Sequence, residues 1–269
     1  AADLTTLGDG SITVSATTRD AAGNTSASAT SSFSLDTAAP LTTAAVTAVS
    51  NATATIPSGS STNSTSLLLS GTFGGATAGA ALAAGESLLI YDGSTLLGTA
   101  TVTVVAAAQS TWSFSDTRTL LNAQALSYTA RVADTAGNQS AAGTPYTLTI
   151  DTAAPTSPTL ALGTGVAGGA TSAEATQATG VITASAENGS ALSVVFSRTG
   201  GGTLTKTLTA TGSPQAVVLS AADLTTLGDG SITVSATTRD AAGNTSSPAS
   251  SSFSLDTATP ASPTLALGA

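Results

Sequence analysis

The side chains able to do chemistry in this chain are mostly carboxylates and amides, and they recur. Asp-x-Ala-Gly-Asn stands at Asp20–Asn24, Asp134–Asn138 and Asp240–Asn244, and Asp-Thr-Ala-x-Pro at Asp36–Pro40, Asp151–Pro155 and Asp256–Pro260. Side chains of these types act as oxygen donors or as caps for their own turns. Cys and His are both absent, which excludes disulfides, thiolate or imidazole zinc sites, and Ser-His-Asp or Cys-His nucleophiles. Two-carboxylate glycosidase chemistry is the option the composition leaves. A catalytic pair would be unique, whereas these carboxylates return with a repeat. An enzyme is not expected.

Charge narrows the partners. Six Lys+Arg against fifteen Asp+Glu give a formal charge of −9 over 269 residues, which cannot supply the basic footprint of a nucleic-acid binder. No run reaches the ~20 consecutive apolar residues of a helical membrane span. Aromatics are 3% of the chain, so any core must rely on Ala, Val and Leu.

The elements that must position these residues come in repeats. Residues 1–36 and 221–256 are the same text except at Ala27/Ser247, Ser28/Pro248 and Thr30/Ser250. The Asp-Thr-Ala-x-Pro junctions divide that interval, and SPTLALG at 157–163 returns at 262–268. The expected parse is a C-terminal part of one unit (1–36), a complete unit of a second type (37–151), a complete unit of the first type (152–256) and the start of another (257–269). The whole reads as a window on a longer array.

Within 152–256 the hydrophobic period is two, in seven short runs: SPTLAL, ATGVITASA, ALSVVFSR, TLTKTLTA, QAVVLS, SITVSATTR and SSFSLD. Gly- and Asn-rich turns separate them. Seven strands in ~100 residues predict an all-β, Ig-like sandwich. Ser220 to Asp223 is a capping-box pattern that starts a short helical turn through Leu227, with its twin at Asp3–Leu7. The 37–151 unit reads similarly, as STSLLLSGTF, SLLIYDG, TLLGTATVTVV, STWSFS, LSYTARVAD and YTLTID, with a Gly/Ala-rich connection from Gly74 to Gly85. Trp112, Phe114 and Tyr128 are its large core candidates, Asp92 reads as a hairpin-turn residue, and Lys206 as an exposed strand residue.

The combination LLLSGTF, GESLLIYDGSTLLGTATV, STWSFS, YTARVADTAGNQS and YTLTIDTAAP resembles the bacterial Ig-like repeats of giant type I-secreted surface adhesins. The resemblance covers essentially the whole chain. It implies tandem Ig-like β-sandwich domains joined by Asp-Thr-Ala-x-Pro linkers, located outside the cell at the bacterial surface. It also implies an extender, or stalk, serving cell adhesion and biofilm formation, with structural Ca²⁺ at the junctions between repeats.

A physical reading places the same residues together. In an Ig-type sandwich the loop between the last two strands lies beside the linker entering its own domain. Asp151 would then meet Asp240 and Asn244, with Glu187 of SAENGSA close by. Such hard-oxygen donors are the kind that Ca²⁺ takes. The other internal junction offers Asp36 with Asp134 and Asn138, and Asp256 would serve a third site. The rival reading is that these Asp and Asn residues only cap turns. The expected partners are neighbouring repeats of the same chain. Two other functions compete with the stalk: a subunit of an extracellular filament or surface layer, which would self-associate laterally, and a ligand-binding Ig-like module.

Overall fold

The computed structural model describes residues 2–74, 82–103 and 110–265. The chain divides into two compact units. The first comprises 1–60, 64–120 and 124–149, and the second 61–63, 121–123 and 150–269. The architecture is all-β, in sandwiches of antiparallel sheets.

The first unit opens with a helix, Ala2–Leu7, and a hairpin of strands Gly10–Ala16 and Ala29–Leu35, in which Ile12 faces Phe33. A sandwich follows. One sheet runs in the order Thr55–Ile56, Thr43–Ser50, Leu67–Gly74, Thr111–Asp116, Thr101–Thr103. In the facing sheet Tyr146–Ile150, Ala125–Ala133, Ser87–Asp92 and Thr95–Thr99 lie side by side. Leu69, Leu88, Ile90, Trp112, Tyr128 and Val132 are buried, and Phe114 is half-buried. Gly71 lies under Trp112: a Cβ there would collide with the indole and with the Ala45 carbonyl.

The strand Thr43–Ser50 is absent from the runs read in the sequence. Its residues, TAAVTAVS, are Ala-rich and its register slips between Val46 and Ala48, so neither composition nor strict alternation marks it. The connection expected between Gly74 and Gly85 falls mostly outside the described residues, as do the last two residues of the 95–105 run.

A buried polar cluster ties the two sheets of this sandwich. Arg118 donates Nε and Nη2 to the Asp116 carboxylate and Nη1 to Asp92. Tyr128 donates its hydroxyl to Asp116 Oδ2 at 2.6 Å, and Asp92 also accepts from the Ser127 N–H at 2.8 Å. Asp92 opens the tight hairpin turn, paired with Thr95 across Gly93 and Ser94, as the sequence reading expects, and its carboxylate also reaches neighbouring elements. Burial pushes the Asp116 carboxyl upward, but the bonds from Arg118 and Tyr128 outweigh it and hold the group below its ordinary range. Burial, then the adjacent carboxylate, pushes the Tyr128 hydroxyl well above its usual value.

Among the described residues, 152–256 of the second unit holds seven strands, at the places the alternating runs predict. Thr159–Leu162, Ile182–Ser185 and Gln215–Val217 form one sheet. The facing sheet is Thr203–Thr209, Ala191–Arg198, Gly230–Arg239, Ala249–Leu255. Their inner faces meet in one core that includes Ile182, Leu192, Val194, Phe196, Val234 and Phe253. A helix, Ala221–Leu227, carries the capping box read from the sequence: the Ser220 hydroxyl accepts from the Asp223 N–H, and Asp223 accepts from the Ser220 N–H. Lys206 sits in the edge strand as expected, but it is half-buried and its ammonium meets Asp223 at 2.6 Å. Residues 257–265 form no strand.

Candidate functional site

The Asp-x-Ala-Gly-Asn segments occupy the tight loop between the last two strands in all three places, and they fold alike. Asp134 Oδ1 accepts from the N–H groups of Ala136 and Asn138, both at 2.9 Å, and Oδ2 accepts from Asn138 Nδ2 at 3.0 Å. Asp240 does the same with Gly243 N, Asn244 N and Asn244 Nδ2, and Asp20 with Ala22 N, Asn24 N and Asn24 Nδ2. The Gly of each turn has φ between 95° and 101°, a region that Gly enters without a Cβ clash. The Asn138 amide holds the Asp134 carboxyl below its usual range, and the Asn24 amide does so for Asp20. At Asp240 burial opposes the shift, but the bonds from Asn244 and the turn backbone prevail and lower it.

The same amides reach a linker. Asn138 Nδ2 donates to the Asp36 carbonyl at 3.1 Å, and Asn244 Nδ2 to the Asp151 carbonyl at 2.9 Å. The Thr that follows each linker Asp is held as well. Asp9 Oδ1 accepts from Thr37 N and Oγ1, Asp229 Oδ1 from Thr257 N and Oγ1, and Asn122 Oδ1 from Thr152 N. Each linker Asp turns its own Oδ1 onto the N–H two residues on, at Ala38, Ala153 and Ala258. The sequence places Asp9 and Asp229 in Gly-Asp-Gly turns at the exit end of their units, near Asp36 and Asp256, where they could add a ligand to the junction from the other side. Asn122, which takes the same role at Thr152, carried no repeated motif to reveal it.

Asp36, Asp134 and Asn138 are thus together at one linker, and Asp151, Asp240 and Asn244 at the other. Glu187 joins the second group: with Asp151 and Asp240 it lines an open cleft of ≈ 290 Å³ that also touches Asn188 and Ser190. The Glu187 carboxylate makes no hydrogen bond among the described residues, and each linker Asp keeps Oδ2 free of described partners. Asp256 stands apart, with its N–H donated to the Ala170 carbonyl. As placed, both Asn side chains present their amide N–H to the neighbouring carboxylate. Lining one cleft does not amount to coordination, and among the described residues no group of three or more Asp or Glu side chains is drawn tightly enough to grip an ion. The Asp and Glu carboxylates are hard-oxygen donors of the type Ca²⁺ takes, whereas Asn138 and Asn244, as placed, offer N–H donors toward the neighbouring carboxylates.

No protein-family model and no curated protein matches this chain. Among solved structures it is similar to a tetra-tandem repeat in the extending region of a large adhesion protein, at 23% identity and a TM-score of 0.31. That alignment covers 92% of this chain and 57% of that one. It is similar to a bacterial ice-binding adhesin at 22% identity and a TM-score of 0.37, covering 96% and 78%. Fibronectin(III)-like modules of Clostridium thermocellum CbhA are similar at 13% identity and a TM-score of 0.38, covering 78% and 94%.

Proposed function

We propose that this chain is part of the extender, or stalk, of a bacterial cell-surface adhesin, stiffened by Ca²⁺ at its linkers. Its role is mechanical and not enzymatic: it holds binding domains away from the cell, in adhesion and biofilm formation, after type I secretion. The observation that carries this reading is the repeated linker clamp. At both internal junctions an Asn from the following sandwich grips the linker carbonyl, and an Asp or Asn on the other side grips the next residue. Chemistry that returns at every junction serves the junction.

In this reading 37–151 and 152–256 are the complete repeats, and 1–36 and 257–269 belong to their neighbours. Asp36, Asp134 and Asn138 would hold one Ca²⁺, and Asp151, Glu187, Asp240 and Asn244 a second, with Asp256 serving a third. The ion would supply positive charge between carboxylates that otherwise repel, so that linker and loop stay joined.

Thermal unfolding of the full chain in millimolar Ca²⁺ and in EDTA tests this. A ligand that binds only the folded state raises Tm, by about 2.7 kcal/mol of stability at a hundredfold excess over Kd. A Tm that climbs with Ca²⁺, and climbs less in the Glu187→Gln, Asp151→Asn double variant, which keeps the Asp36 site, is the expected result. An unchanged Tm would remove the ion and leave the hydrogen-bonded clamp. Reversible lateral association in sedimentation at micromolar concentration would favour the filament or surface-layer reading.

A further inference from the structure

The strand Thr203–Thr209 reads TLTKTLT, a palindrome centred on Lys206, which is the one lysine of the chain. It stands at the end of its sheet: Ala191–Arg198 lies on one side, and no strand lies on the other among the described residues. The far edge of the same sheet is covered at its end by Ala170, which donates its N–H to the Ser254 carbonyl and accepts from the Asp256 N–H. Leu204, Lys206 and Leu208 are half-buried on the inner face, the two leucines against the core, and Thr203, Thr205, Thr207 and Thr209 are exposed on the outer one.

The ladder fixes which backbone groups are free. Ala210 donates to the Ser190 carbonyl and Arg198 to the Gly202 carbonyl. Hydrogen bonding alternates along an antiparallel pair, so Leu204, Lys206 and Leu208 are the residues bonded to Phe196, Val194 and Leu192. The N–H and C=O of Thr205 and Thr207 therefore point away from the sheet. A second copy of the strand, turned antiparallel about Lys206, would meet them. Thr205 would exchange both bonds with Thr207 of that copy, Leu204 would face Leu208, and Lys206 would face itself. This central pair is of the non-hydrogen-bonded kind, which brings side chains closest. The register is self-complementary everywhere except at its centre, where two lysines would stand with their Cβ atoms about 5 Å apart.

We propose that Thr203–Thr209 is a self-complementary pairing edge for a second copy of this chain, and that Lys206 keeps it unpaired. Like charges directly opposite destabilise a cross-strand pair, and a charge on the inner side of an edge strand is a barrier to pairing. Asp223 holds the Lys206 ammonium on that inner side at 2.6 Å, with the lysine side chain 30% exposed. Pairing would strip the remaining water from both ion pairs at once, a desolvation that the attraction within each pair does not return. The inference goes beyond the stalk reading and involves no Ca²⁺; in a stalk, it keeps neighbouring rods from zipping together.

The test uses the full chain in sedimentation velocity at micromolar concentration. The wild type and Lys206→Arg should be monomeric. Lys206→Met, which keeps the aliphatic stem between Leu204 and Leu208, should dimerise reversibly. Lys206→Gln, which can still bond Asp223, should dimerise too, and it replaces Lys206→Met should that variant fail to fold. Adding Thr205→Pro should return either dimer to monomer, because the N–H it removes serves no bond within its own sheet. Disulfide trapping in a glutathione buffer reads the register, since the chain has no cysteine of its own. Lys206→Cys, opposite itself, should link into a covalent dimer faster than the exposed Thr205→Cys, which stands opposite Thr207. Folded Lys206→Met or Lys206→Gln that stays monomeric overturns the proposal. So does a wild-type dimer that Thr205→Pro dissolves, because the edge is then unguarded. Faster linking at 205 overturns it as well, since chance collision favours the more exposed thiol.

Discussion

At the scale of single residues, the most committed polar group in the chain is the Asp116 carboxylate. It is 4% exposed and accepts from the Arg118 guanidinium and the Tyr128 hydroxyl. Removing it leaves a buried phenol without a partner and a guanidinium with one carboxylate fewer. A charged hydrogen bond is worth about 1.5–3 kcal/mol, and an unsatisfied buried group costs about 1–3 kcal/mol. Asp116→Ala should therefore lower stability by about 3 kcal/mol in urea unfolding, and Tyr128→Phe by about 1.5 kcal/mol. The pH dependence follows from the depressed carboxyl. A group that ionises more readily folded than unfolded contributes its full stability above its ordinary value near 3.8, and loses it as pH falls through the lower folded value. Acid unfolding of the wild type should thus steepen below pH ~4, and Asp116→Ala should flatten that limb. A limb unchanged by the substitution would place the acid sensitivity elsewhere. None of this cluster was visible in the sequence. Asp116, Arg118, Asp92 and Tyr128 lie on separate strands and loops, and nothing local distinguishes an Asp that caps a turn from one that crosses a sandwich. The motif aspartates were legible because their partner is four residues away.

At the scale of elements, legibility followed side-chain alternation. Runs such as TLTKTLT and ALSVVFSR announce strands because Thr, Val and Leu alternate on a half-buried surface, and the structure has both. TAAVTAVS failed to announce one, since Ala is a weak strand former and the bulge at Val46/Ala48 breaks the period. The sequence also could not tell that this strand must approach Leu67–Gly74 so closely that one position tolerates no side chain. Gly71 faces Val46 across that pair, beneath the buried Trp112. The neighbours at Gly71 are backbone and a fixed indole, neither of which can retreat as a flexible chain would. Overpacking of this kind costs about 1–3 kcal/mol. Gly71→Ala should sit at the upper end of that range, measured as a lowered urea midpoint at constant m-value. Gly93→Ala is the informative control: a Cβ there meets nothing within 4 Å, but φ is 58°, so its loss reports backbone strain alone. Equal losses at the two sites would mean that Trp112 shifts to make room.

At the scale of the whole molecule, the duplicated text separates sequence from surroundings within one polypeptide. Local instructions are the same in both copies, and both obey them: the helix, the hairpin register and the Asp-x-Ala-Gly-Asn turn form in each. The core is what the text cannot supply by itself. Each large apolar side chain taken fully from water stabilises a fold by about 1.5–3 kcal/mol. Val234 and Phe253 have that contribution, while Val14 and Phe33 have about half of their surface still in water. Amide exchange therefore provides an internal comparison in which intrinsic rates cancel. In strands Gly230–Ala236 and Ala249–Leu255 the amides open only with the core around them, whereas in Gly10–Ala16 and Ala29–Leu35 they need only the hairpin to part. The first set should exchange at least ~100-fold more slowly than the second, equivalent to about 2.7 kcal/mol. Fragments that carry the three differing positions must be left out of the ratio. Matching rates would mean that hairpin and turn hydrogen bonds hold these strands without help from burial.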